Sequence, residues 1–116
     1  MLQGNWTLVS GELEGAAIPE EELAKYSLVI TGNQHHVKWS NSVLDGTHTI
    51  DESRSPIAID SIDSAGLFEG MRLEGILESS GDEFSICFAA PGEPRPTEFT
   101  TQNGKAIILH KWKRQH

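Results

Sequence analysis

Five histidines, a single cysteine and one arginine set between prolines are the residues of this 116-residue chain whose types could do chemistry. His35 and His36 are neighbours, so in an extended segment they face opposite sides, and either could meet His48 or His110 only if strand registers agree. The sequence has no H-x-x-x-H and no Cys/His pair at ligand spacing, and His116 is its last residue. No metal and no cofactor is expected; His48 and His110 read instead as polar wall residues able to orient a ligand. Cys87 alternates with Phe88 and reads as a small core or wall residue, because a nucleophilic thiol needs an electropositive neighbour that the sequence does not supply. A G-x-S-x-G elbow, a phosphate loop and a paired-carboxylate motif are all missing, and Asp51-Glu52 and Glu20 to Glu22 read as a solvated turn and a helix start. The chain is not expected to be an enzyme.

Arg95 lies between Pro94 and Pro96, in the stretch APGEPRPTEFTTQN of residues 90–103. Proline fixes the backbone on either side, so the guanidinium is pre-organised. It can clamp a ligand carboxylate, or it can pair with Glu98 or Asp60 and pin the loop to the rest of the fold. Both readings stand at this stage.

These side chains must be carried by strands. Runs at residues 5–12, 27–31, 34–40, 43–51, 57–60, 71–78, 83–89 and 105–114 alternate in strand fashion, with turn residues such as Gly32-Asn33, Asn41-Ser42 and Ser79-Ser80-Gly81-Asp82 between them. Pro19 followed by Glu20, Glu21 and Glu22, with Lys25 behind, predicts one short helix near residues 19–25 that could lie across a barrel mouth. Residues 63–70 carry two glycines and fit either a loop or an extended hairpin. With eight runs in sequential hairpins and no long crossover, the expectation is an all-β chain: an eight-stranded antiparallel up-and-down barrel with one short helix.

Alternation then proposes the wall. Leu28/Ile30, Val37/Trp39, Ile57/Ile59, Met71/Leu73 and Phe84/Ile86/Phe88 each share a face, as do Ile108, His110 and Trp112, and His35 falls on the face of Val37 and Trp39. The ligand-binding set expected from this pattern is Trp39, His48, Met71, Phe84, Phe88, Arg95 and His110. The sequence does not say which alternating face is interior.

Nine basic residues against seventeen acidic ones leave a formal charge of −8. That charge repels phosphate backbones, so a nucleic-acid partner is not expected. One cysteine cannot form an internal disulfide, and neither redox compartment is excluded. The opening MLQGNWTLVS lacks a basic n-region, and no segment approaches the ~20 apolar residues of a membrane span. The chain reads as one soluble domain of unassigned compartment.

The whole chain resembles a bacterial lipocalin-like domain family, largely uncharacterised and expanded in planctomycetes. The resemblance rests on Leu2-Gln3-Gly4-Asn5-Trp6, Ile18-Pro19, Thr31-Gly32, Ile59-Asp60, Glu74-Gly75-Ile76 and Gly81-Asp82. Its most specific part is Ile86-Cys87-Phe88-Ala89 through Pro91-Gly92 to Arg95-Pro96-Thr97-Glu98-Phe99. It implies an up-and-down barrel of lipocalin or calycin type with a small-ligand pocket, and brings no catalytic residues. Members similar to this chain often carry tyrosine where it has His48 and Leu77. In lipocalins the G-x-W tryptophan closes one barrel end beneath a late basic side chain, a role open here to Trp6 with Arg114, Lys113 or Arg95. The functional expectation is a small, largely apolar molecule bound inside the barrel. The alternatives are a packed barrel acting as a protein-interaction module and, third, dimerisation through an exposed strand face.

Overall fold

A computed structural model describes residues 2–64, 69–102 and 106–115. The strands are β1 (Gly4–Leu13), β2 (Ala16–Ala17), β3 (Tyr26–Thr31), β4 (Gln34–Trp39), β5 (Ser42–Asp51), β6 (Ile57–Asp63), β7 (Arg72–Ser80), β8 (Glu83–Ala89) and β9 (Ala106–Arg114), with the helix α1 (Glu20–Leu23) between β2 and β3. Each strand from β3 onward pairs antiparallel with the next, and β1 pairs with both β3 and β9. Eight strands therefore close into a barrel, while β2 is a two-residue addition folded back on the end of β1. Closure satisfies the backbone groups that an open sheet would leave at two edges.

The expected architecture is present, with local differences. The helix is a single turn: Pro19 sits just before it with φ −58°, and Lys25 lies beyond it, paired to Glu22 at 3.1 Å. The fifth expected run extends to Asp63, three residues past Asp60, because Ser61, Ile62 and Asp63 continue the ladder with β5. At the 63–70 stretch, Asp63 bridges Glu69 and its carbonyl accepts from the Gly70 amide at 2.8 Å. Residues 65–68, together with Asn103, Lys105 and His116, for which a place in a loop, a strand start and a terminus was expected, lie outside the described residues.

The pleat sorts the side chains. Trp6, Leu8, Leu28, Ile30, Ile59, Leu77, Phe84 and Trp112 point inward and are buried together with Leu2. One end of the barrel is sealed by Trp6, 1 % exposed. Its indole donates to the Leu2 carbonyl at 2.9 Å, meets Phe84 edge-on at 4.5 Å, and lies under the Arg114 guanidinium at 4.2 Å. Of the three basic residues open to that role, Arg114 fills it. Burying aromatics of this size is worth about 2 to 3 kcal/mol each, with about 1 kcal/mol more from the edge contact.

A second apolar cluster forms on the outer side of the sheet, where Ile76, Cys87 and Ala106 are buried with Leu109 and Phe99 packed against them. Phe99 comes from the proline-rich connection between β8 and β9, which therefore covers an outward face that strand alternation alone would leave wet. The same connection is latched by Thr101, 2 % exposed, whose hydroxyl donates to Glu12 at 2.6 Å.

Candidate functional site

The barrel is not filled by its own side chains. A cavity of about 340 Å³, open to solvent, runs along the inner faces of β3 to β9. Its wall is largely hydrocarbon, from Leu28 and Ile30 of β3, Val37 of β4, Leu44 of β5, Ile59 of β6, Leu73 of β7, and Ile86 and Phe88 of β8. Trp39, 43 % exposed, marks the mouth. There its indole donates to Glu22 of α1 at 3.4 Å and its ring lies 6.2 Å from Tyr26, so the single helical turn sits at this end. Burial and then the neighbouring Glu22 carboxylate raise the Tyr26 phenol above its ordinary value.

Polar groups break this wall at two places. At the first, His35 and His48 stack with ring centroids 5.3 Å apart, and their Nδ1 atoms are 3.1 Å apart. The other nitrogen of His35, Nε2, is 3.0 Å from Asp63 Oδ1, and both side chains of that pair are mostly shielded, at 12 % and 15 % exposure. Register explains the meeting: His35 is opposite Gly46, Gly46 is opposite Asp63, and His48 is opposite Ser61. Gly46 makes the contact possible. A Cβ there would stand 2.5 Å from His35 Nε2 and 2.8 Å from Asp63 Oδ1. Burial first, and His35 second, hold the His48 imidazole below its ordinary value.

The second polar place is His110, whose ring lies 6.1 Å from Tyr26 and 5.6 Å from Trp112. Burial pulls its imidazole down to about 4, so it is neutral at physiological pH.

Of the sequence-derived set, Trp39, His48, Phe88 and His110 line this cavity together. Met71, Phe84 and Arg95 do not. Met71 precedes β7 and is 49 % exposed, so the strand that holds Leu73 inward starts too late to carry it in. Phe84 is 1 % exposed but belongs to the sealed end, against Trp6. Arg95 faces the outside of the barrel, where it donates to the Ile59 and Gly75 carbonyls at 3.0 and 2.8 Å, to Asp60 at 2.7 Å and to Glu74 at 3.1 Å. It pins the loop, through Asp60 and not Glu98. Burial would raise the Asp60 carboxyl, but hydrogen bonds from Arg95 and Arg72 outweigh it and keep the carboxyl below the usual range.

Sequence reading put His35 on the correct face and left it out of the binding set, and it missed Asp63 and Ser61 altogether. Their inward direction follows from continuing the alternation of Ile59 by two and four residues. Cys87 is fully buried in the outer cluster, its sulfur donating to the Thr100 carbonyl at 3.6 Å; burial pushes the thiol up, away from nucleophilic use. Among the described residues no three His, Cys, Asp or Glu side chains are arranged to hold one metal ion. Comparison with family models, with curated proteins and with solved structures finds no match.

Proposed function

We propose that this protein is a non-catalytic, lipocalin-like carrier or sensor that binds a small, largely apolar molecule in its barrel. The observation that carries the reading is the cavity: about 340 Å³, continuous with solvent, walled by hydrocarbon and interrupted by only a few polar groups. Binding sites for small molecules begin near ~300 Å³ and have this composition, apolar walls with a few placed hydrogen-bonding groups. The rival reading, a barrel packed solid and acting through its exterior, requires an interior that leaves no such space. A non-catalytic role is favoured by the buried, outward position of Cys87 and by the use of Arg95 in holding a loop.

Native mass spectrometry of the purified 116-residue chain tests the reading. Expected is either a retained small molecule or, after delipidation, 1:1 uptake of an added apolar fluorophore with quenching of Trp39 and Trp112, both of which line the cavity. A protein that retains nothing and takes up no apolar probe at any accessible concentration is not a carrier of this kind.

A further inference from the structure

The polar end of the cavity has a defined hydrogen-bonding sense, and it follows from Asp63. A carboxylate can only accept, so His35 Nε2, 3.0 Å away, carries a proton and donates it. With that as its one ring proton, His35 has a bare Nδ1. That atom accepts from His48 Nδ1 at 3.1 Å, so His48 is protonated at Nδ1 and bare at Nε2. His48 Nε2 has no hydrogen-bond partner among the described residues, and no partnerless side-chain N or O atom there is sealed from solvent. The same holds for Ser61 Oγ, directly across the ladder from His48. The two side chains are 6 % and 7 % exposed, and the open space they line is the cavity. Here are two side chains, nine-tenths buried, each presenting one polar atom with no partner among the described residues, and about 5 Å apart at their Cβ atoms by cross-strand geometry.

We propose that this pair reads a hydroxyl group: the ligand is an apolar molecule bearing one alcohol or phenol, which donates its O–H to His48 Nε2 and accepts from Ser61 Oγ. The inference rests on the carrier reading above and specifies its ligand class. A carboxylate is disfavoured: Ser61 can donate to one of its oxygens, but the other would face the bare lone pair of His48. The His35–His48 contact holds only one proton between the two Nδ1 atoms, and Asp63 holds a second on His35 Nε2. One further proton on the pair must therefore go to His48 Nε2, turning the acceptor into a donor. The groups facing His48 are His35 from β4 and Ser61 and Asp63 from β6, with His110 of β9 lining the same cavity, whereas His36 and Asp45 pair with each other on the outer face. Acid should thus reverse the preference, favouring a carboxylate over a hydroxyl.

The test is binding of 2-naphthol, 2-naphthoate and naphthalene to the full chain, followed by tryptophan quenching at about pH 8 and about pH 5; because burial and then His35 hold His48 below the ordinary histidine value, the change on acidification is expected to be partial at the lower pH. Expected at the higher pH is 2-naphthol about tenfold tighter than naphthalene, a typical value for one or two net hydrogen bonds, and 2-naphthoate weakest. At the lower pH 2-naphthoate should gain on 2-naphthol. Asp63→Asn removes the obligatory acceptor, so its amide can bond His35 in either sense; the naphthol preference should shrink while naphthalene binding stays. His48→Phe should abolish the preference in the same way, with circular dichroism melting checking that each variant is folded. If naphthalene binds and naphthol binds no better, or naphthoate equals naphthol at pH 8, the hydroxyl assignment is wrong while the carrier reading stands. If none of the three binds, both fall.

Discussion

His110 shows how a cavity-facing residue makes itself felt in stability. Its folded value is about 4, against an ordinary 6.5. In that window the unfolded chain takes up a proton that the folded chain refuses, so stability is complete above about pH 6.5 and falls as the pH drops toward 4, by up to about 3 kcal/mol. His48 is depressed in the same direction and adds to the slope. His110→Phe keeps the ring contacts to Tyr26 and Trp112 and should flatten urea-midpoint-against-pH plots between those values. An unchanged slope would assign the acid sensitivity to other groups. Arg95 belongs to this scale too. Arg95→Ala strips two backbone carbonyls and the half-buried Asp60 of their shared donor, and should cost about 1 to 3 kcal/mol in urea unfolding. Arg95→Lys should recover only part, because an ammonium cannot reach several acceptors in one plane as the guanidinium does.

At the scale of elements, two glycines decide how closely strands and side chains approach inside the barrel. Gly75 on β7 lies under Phe88 of β8; a Cβ there would stand 2.6 Å from the ring and 2.7 Å from the Cys87 carbonyl. Gly75→Ala should therefore destabilise by about 1 to 3 kcal/mol through overpacking and push Phe88 into the cavity, visible as weaker uptake of bulky probes. Gly46→Ala should instead separate His35 from Asp63, leaving apolar binding and removing the preference among head groups. The strands themselves were legible from alternation, since every long run with period two became one. The covering of Ile76 and Cys87 was not, because it depends on where the β8–β9 connection lays Phe99, which no local pattern encodes. Asp63 was hidden for a related reason: two glycines follow it, and composition there reads as loop although the ladder with β5 carries on. Register was the deeper gap. It brings residues 35, 48 and 63 to one point and cannot be read from any of the strands alone.

For the whole molecule, closure joins the first long strand to the last. The β1–β9 ladder runs from Trp6 opposite Arg114 to Leu13 opposite Ile108, so contacts of nearly maximal sequence separation are needed before the barrel is complete. Folding is expected to be cooperative and slow for this size, in the range of milliseconds to seconds. Truncation before Ala106 should leave no cooperative transition, because it removes Trp112 from the core and opens both β1 and β8. Calorimetry of the truncated chain showing a two-state peak would contradict this account of the fold.

The adjacent imidazoles of His35 and His36 lie on the two sides of one sheet, each against its own carboxylate: the inner pair at 12 % and 15 % exposure, the outer, with Asp45, at 44 % and 52 %. Added electrolyte screens the outer pair and hardly touches the inner one. In NMR spectra, consecutive residues would thus supply signal and reference within one peptide unit: added salt moves the outer resonance, and a molecule entering the cavity that His35 lines moves the inner one.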